Sequence, residues 1–137
     1  MAGEVFFDTS GFFALLNSDD PHHEKARDFL SRARAERRGG VTTPWVVGEC
    51  CTLLVARRRP HLVPRFLDFT ESSQSLTVVA EDEALYVQTK AFLRRHLDHA
   101  YSFADCASFV VMEERGLPEA LTHDAHFVEA GLVALLR

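Results

Sequence analysis

Residues 101–127, YSFADCASFVVMEERGLPEALTHDAHF, read as helix, turn, short strand and loop. Ser102 suits the N-cap of the helix, and Asp105 falls three residues later, in its first turn. Phe103, Ala104, Ala107, Phe109, Val110, Val111 and Met112 make an apolar surface too broad for one stripe, so the helix is mostly buried. Gly116, Leu117 and Pro118 end it. Ala120, Leu121 and Thr122 make a short buried strand, and His123, Asp124, Ala125 and His126 turn the chain away from it. A parallel α/β sheet gathers its ligand groups outside the carboxyl ends of strands and at helix starts. Asp105 and Asp124 both belong on that rim.

The same alternation runs outward through the chain. Residues 4–8, EVFFD, predict a first strand, with Thr9, Ser10 and Gly11 as a turn and residues 12–16 starting a helix. Pro21 opens a helix to about residue 37, with Ala26, Phe29, Leu30 and Ala33 on one face and Gly39 and Gly40 as its stop. Residues 41–43 predict the second strand, and residues 45–58, after Pro44, an apolar helix interrupted by Glu49 and Thr52. Residues 61–71 predict an amphipathic helix carrying Leu62, Phe66, Leu67 and Phe69, and residues 76–79 the third strand. A long helix follows over 82–97, with Leu85, Tyr86, Thr89, Phe92 and Leu93 inward. A helical turn over 127–130 and a fifth strand over 132–136 close the chain. Strands alternating with helices predict an α/β domain with a mostly parallel, roughly five-stranded sheet. The 137 residues suit a single domain spanning 1–137. The common phosphate-cradling loops, GxxxxGK[ST] and GxGxxG, are both absent.

Composition narrows the function classes. The net charge of −5 argues against a general nucleic-acid coat protein. If four of the 20 acids hold cations, however, the remaining 16 nearly balance the 15 bases. Of those bases 13 are arginine, which grips phosphate bidentately. They cluster as Arg32, Arg34, Arg37 and Arg38, then Arg57, Arg58, Arg59 and Arg65, then Arg94 and Arg95. Each cluster also reads as a solvated helix end, where cations favour the dipole. Cys50, Cys51 and Cys106 form no CxxC pair and fit reduced, buried thiols of a cytoplasmic protein. No apolar run reaches the roughly 18 residues of a membrane span. The amino end has no basic region, with acids at Glu4 and Asp8, so no secretory leader is expected.

Four carboxylates invite chemistry, and each has an ordinary reading beside it. Asp8 ends the first strand and equally suits a turn or cap. Asp105 suits the helix dipole and the cap. Asp124 suits an Asx turn. Glu49 lies among Val46, Val47, Gly48, Cys50, Cys51, Leu53 and Leu54, where a buried, unpaired carboxylate costs several kcal/mol or takes up a proton. From a helix edge it still reaches water. Taken together, all four fall on the expected ligand rim, where they stay charged only with cations between them. Hard oxygen ligands select Mg2+ or Mn2+ over zinc. Two such ions activate water and stabilise the leaving oxygen in phosphodiester cleavage.

On these residues the sequence resembles the PIN domains, in particular the small toxin nucleases of the VapC kind. The resemblance rests on VFFDTSGFFALL at 5–16 with Asp8 and Ser10, on the helix acid Glu49, on SFADC at 102–106 with Asp105, and on LTHDAHF at 121–127 with Thr122 and Asp124. DPHHEKA at 20–26 is similar as well and reads as scaffold. The resemblance covers nearly the whole chain. It implies a three-layer α/β/α sandwich and a Mg2+- or Mn2+-dependent endoribonuclease. In it Asp8, Glu49, Asp105 and Asp124 are the catalytic and metal-binding acids, and Ser10 and Thr122 orient those carboxylates. It also implies an RNA substrate, a small antitoxin partner and a homodimer. Arg57, Arg58, Arg59, Arg94 and Arg95 are candidates for holding the RNA backbone.

Other classes remain open on sequence. His96 with His99, and His123 with His126, have i, i+3 spacing suited to metal-free acid–base catalysis, or with Cys106 to zinc. Asp8 after a first strand suits an aspartyl-phosphate enzyme, but Lys25 and Lys90 are the only lysines and neither follows a late strand. A scaffold or RNA-binding module without catalysis is the non-enzymatic alternative.

Overall fold

The computed structural model describes residues 3–137. The elements follow one another as β1 (Val5–Phe7), α1 (Thr9–Leu16), α2 (His23–Ala35), β2 (Gly40–Thr42), α3 (Pro44–Ala56), a 3-10 turn (Pro60–Leu62), α4 (Val63–Ser72), β3 (Leu76–Val78), α5 (Glu83–Arg95), α6 (Phe103–Arg115), β4 (Glu119–Leu121), α7 (Ala125–Glu129) and β5 (Val133–Ala134). The sheet order is β3-β2-β1-β4-β5, and every pair is parallel. The chain builds outward from β1 on one side, then crosses back to add β4 and β5 on the other. The reversal lies between β1 and β4, where an open α/β sheet leaves a crevice beyond its strand ends. Phe7 pairs with Leu121 in that seam, so Asp8 and Thr122 emerge side by side at its carboxyl end.

Alternation along β1 sorts the core into two layers. Phe6 packs towards Phe127, which meets Phe109 of α6 edge-on at 4.9 Å. Phe7 turns the other way, to Phe12 at 5.4 Å and Phe29 at 6.5 Å, and Phe12 meets Phe66 of α4 at 5.0 Å. Helices therefore cover both faces, as a three-layer α/β/α arrangement requires. Phe6, Phe12, Phe66 and Phe127 are each almost wholly buried, and each burial stabilises by roughly 1.5–3 kcal/mol.

Local signals explain most element ends. Ser102 accepts from the Asp105 N–H while Asp105 accepts from the Ser102 N–H, a complete capping box at the start of α6. Gly116 ends α6 at φ 63°, a left-handed cap that few other residues adopt without strain. Two expectations need correction. Residues 9–11 are the first turn of α1 rather than a loop. The reason is Gly11: a Cβ there would lie 2.1 Å from the Leu121 carbonyl oxygen, so the missing side chain lets α1 sit directly on β4. Tyr86 is exposed rather than inward, with the Lys90 ammonium 4.2 Å from its ring centroid and Phe103 beside it. Among the described residues no helix is long and apolar enough to cross a membrane.

Candidate active site

Asp8, Glu49 and Asp124 line one cleft of about 560 Å³, together with Thr9, Ser10, Phe13, Asp20, Leu53, Arg57, His123 and Ala125. Asp8 leaves the central strand, Glu49 rides on α3, and Asp124 starts α7. Asp105, in the first turn of α6, adjoins the cleft from beside Asp124. The ligand atoms of Asp105, Asp124 and His126 all lie within 4.8 Å of one another. Asp8 and Glu49 stand outside that tight trio but feel it, since the charges of Asp105 and Glu49 both bear on Asp8.

One oxygen of each acid is held by a donor. Thr122 Oγ1 donates to Asp8 Oδ2 at 2.8 Å. Thr9 Oγ1 donates to Glu49 Oε1 at 2.7 Å. Asp105 Oδ2 accepts from the Ser102 N–H at 3.1 Å, and Asp124 Oδ1 accepts from the His126 N–H at 2.8 Å. Because the single Thr122 proton goes to Asp8, the 2.9 Å contact between Ser10 Oγ and Thr122 Oγ1 has Ser10 as donor. Ser10 in turn accepts from the His123 N–H at 3.1 Å, and Thr122 accepts from the Asp124 N–H at 3.0 Å. Ser10 thus acts on the acids only through Thr122, whereas Thr122 touches Asp8 directly. Thr9 does for Glu49 what Thr122 does for Asp8. Thr9 is thus a helix residue with a role at the acids, not only part of a turn.

The electrostatic burden falls on Asp8, not Glu49. Glu49 is solvent-exposed at the edge of α3, whose inward line is Val46, Cys50 and Leu54. Of the two readings of Glu49, the helix-edge one holds, and the desolvation argument applies instead to Asp8, which is 5% exposed. Burial raises the Asp8 carboxyl from 3.8 to about 7, and the charges of Asp105 and Glu49 add to it, against the lowering by the Thr122 hydroxyl and the Thr9 N–H. Asp8 occupies the N-cap position of α1 without making a side-chain cap bond, so the helix does not account for its placement.

His126, weighed on sequence only beside His123, instead adjoins two of the acids. Its Nδ1 lies 3.1 Å from Asp105 Oδ2 and 3.6 Å from Asp124 Oδ1. Burial works against its charge, but the Asp105 hydrogen bond and the charges of Asp124, Asp105 and Glu129 outweigh that and raise its pKa. The alternative of a His123–His126 pair finds no contact between the two rings to support it. His123 instead stacks on His22 at 4.5 Å, and His96 stacks on Phe92 at 4.0 Å. The arginines divide as well. Arg57 lines the acidic cleft with its guanidinium 5.9 Å from the Phe13 ring centroid. Arg59 is engaged with Asp19, and Arg58 lies exposed just past α3. Arg94 lies in the last turn of α5, and Arg95 lines a separate groove with Glu113 and Glu114.

The donor set fits a divalent cation. Asp8 has no cationic side-chain partner among the described residues, and three further carboxylates stand close by, each already oriented. Such a cluster stays charged at neutral pH when cations share it, and oxygen-rich ligands suit Mg2+ or Mn2+. Zinc among the histidines and cysteines finds no support, because Cys106 is buried and belongs to no candidate metal group among the described residues.

Comparison with known proteins adds independent observations. The model of the family described as PIN domain matches residues 5–132. The chain is 35% identical over 130 residues to the 23S rRNA-specific endonuclease VapC20 of Mycobacterium tuberculosis, an alignment covering 94% of this chain and 95% of that protein. It is 27% identical over 125 residues to a VapC ribonuclease of Archaeoglobus fulgidus, covering 90% of this chain and 78% of the relative. The crystal structure of M. tuberculosis VapC20, described as a sarcin–ricin loop cleaving toxin, matches with a TM-score of 0.82 at 31% identity. That match covers 95% of this chain and 97% of the other.

Proposed function

Because the chain belongs to the PIN-domain family, we propose that it is an endoribonuclease dependent on Mg2+ or Mn2+ and the toxin of a toxin–antitoxin pair. The observation that carries the metal dependence is Asp8: a carboxylate 5% exposed, pushed up to about 7, beside other acids and without a basic partner among the described residues. The names of the relatives, a 23S rRNA-specific endonuclease and a sarcin–ricin loop cleaving toxin, support a ribosomal RNA as the substrate class.

Asp8, Glu49, Asp105 and Asp124 hold the cation or cations in this reading. A bound divalent ion supplies Lewis-acid activation of water and neutralises charge at the phosphate. The protein supplies position. Thr122 and Thr9 keep the Asp8 and Glu49 carboxylates from rotating, and Ser10 fixes the Thr122 hydroxyl. Arg57 lies in the cleft without a carboxylate partner among the described residues and holds the RNA backbone there. No side chain acts as the nucleophile. A small antitoxin and a second copy of the chain complete the proposal, drawn from the family resemblance.

Cleavage of ribosomal RNA by the purified protein tests it, with and without chelator, beside Asp105→Asn. The expected result is activity that chelator abolishes, Mn2+ or Mg2+ restores, and Asp105→Asn lacks. Full activity in chelator, or in the variant, would overturn the metal-dependent reading. A 1:1 chain mass by light scattering would overturn the homodimer.

A further inference from the structure

We propose that His126 is itself a metal ligand, so that the centre is a mixed nitrogen–oxygen site that takes Mn2+ in preference to Mg2+. This rests on the metal-dependent reading above and goes beyond it, because four acids alone give an all-oxygen site.

The geometry is the first support. His126 Nδ1 is 3.1 Å from Asp105 Oδ2 and 3.6 Å from Asp124 Oδ1, and the three ligand atoms lie within 4.8 Å of one another. Adjacent ligands around an ion with bonds of about 2.1 Å lie roughly 3 Å apart. A cation held by these three groups would replace the contact between His126 Nδ1 and Asp105 Oδ2.

The setting of the ring is the second support. Its other nitrogen, Nε2, has Glu129 Oε2 at 4.0 Å. An imidazole that binds metal through one nitrogen commonly has a carboxylate on its other side, and here Glu129 acts on that nitrogen by charge, beyond hydrogen-bond distance. Glu129 is itself approached by His99 Nδ1 at 3.4 Å. Tyr101 meets the His126 ring edge-on at 5.4 Å, and the His126 N–H is tied to Asp124. The ring thus stands between Tyr101 on one edge and the carboxylates of Asp105 and Asp124 at Nδ1.

The chemical consequence concerns the ion. Mg2+ strongly prefers oxygen, while imidazole nitrogen is tolerated better by Mn2+ and later ions of the first transition row. A single nitrogen in the first coordination sphere shifts the competition towards Mn2+.

The test uses the whole protein stripped of metal and titrated with MnCl2, with the bound ion observed by pulsed electron paramagnetic resonance. The expected spectrum carries a nitrogen coupling that changes its multiplicity when the protein is made with 15N-histidine, without any mutation. The coupling persists in His99→Gln and His123→Gln and is lost in His126→Gln. His126→Asp restores tight binding without the coupling and lowers the Mn2+/Mg2+ affinity ratio by about 10-fold or more. Mn2+ bound with no histidine coupling in the wild type overturns the inference and leaves the ribonuclease reading intact. Coupling that survives in His126→Gln also overturns it. No Mn2+ binding at all overturns both.

Discussion

Thr122 Oγ1 donates a 2.8 Å hydrogen bond to Asp8 Oδ2 across 114 positions of chain. Thr122 is fully buried and also accepts from the Asp124 N–H, so one hydroxyl sets two of the acids. Thr122→Val keeps the shape and removes this junction. Cleavage is expected to fall by roughly 10–100-fold, the usual effect of losing a group that orients a metal ligand. Stability is expected to fall by about 1–3 kcal/mol from the polar groups left unpaired. Single-turnover assays and urea melts read the two effects separately. Wild-type cleavage in a folded Thr122→Val protein would remove Thr122 from the site.

The raised Asp8 carboxyl makes a signed prediction about pH. In the folded, metal-free protein Asp8 holds its proton up to about 7, while in the unfolded chain it loses it near 3.8. Between those values the folded state binds more protons, so stability is full below 3.8 and declines as pH rises to about 7. The loss is on the order of 4 kcal/mol. His126 acts in the same sense: with its pKa raised, its contribution is full below 6.5 and lost as pH rises through the higher folded value. Urea melts in chelator between pH 4 and 8.5 measure this. Asp8→Asn is expected to flatten the decline and to be more stable than wild type above pH 7. Mn2+ should stabilise the wild type in that range and the variant far less. Parallel pH profiles for the two proteins would contradict the burial argument.

Gly11 is expected to tolerate no side chain. A Cβ placed 2.1 Å from the Leu121 carbonyl oxygen meets backbone, which cannot rotate aside. Gly11→Ala must push α1 off β4, at about 1–3 kcal/mol or more. The same shift separates Ser10 from Thr122, so cleavage should fall with stability. A melting temperature and activity equal to wild type would show that the contact relaxes freely.

Arg57 and Arg95 make a matched pair for the RNA contact. Arg57 lies in the acidic cleft, while Arg95 lines another groove beside Glu113 and Glu114. Arg57→Ala is expected to raise KM for RNA and to reduce the salt dependence of binding by about one phosphate contact. Arg95→Ala should change neither. The reverse pattern in a salt titration would move the RNA path to the α5–α6 side.

The parts of the fold that were legible carry local signals. Ser102 and Asp105 announced the start of α6, and Gly116 its end, because caps are matters of a few adjacent residues. The parallel order followed from alternation. The acids were legible as boundary residues, yet their environments were not. Glu49 stayed ambiguous because its neighbours along the chain are apolar, yet on a helix it lies about 100° from Cys50 and faces outward. Asp8 looked like an ordinary strand-end acid, and its burial comes from tertiary packing. Thr9 and His126 gain their roles from partners 40 and 21 positions away, which no local pattern records.

The seam between β1 and β4 also bears on how the molecule comes into being. β1 leaves the ribosome before β2, β3 and β4, and its neighbour β4 starts only at Glu119. Until that late segment emerges, Asp8 lacks Thr122, and Asp124 and His126 are missing altogether. A nascent chain can therefore assemble β1, β2 and β3 and still not have brought the proposed metal-binding acids together. Those acids gather only once the segment that carries β4 and α7 has been made.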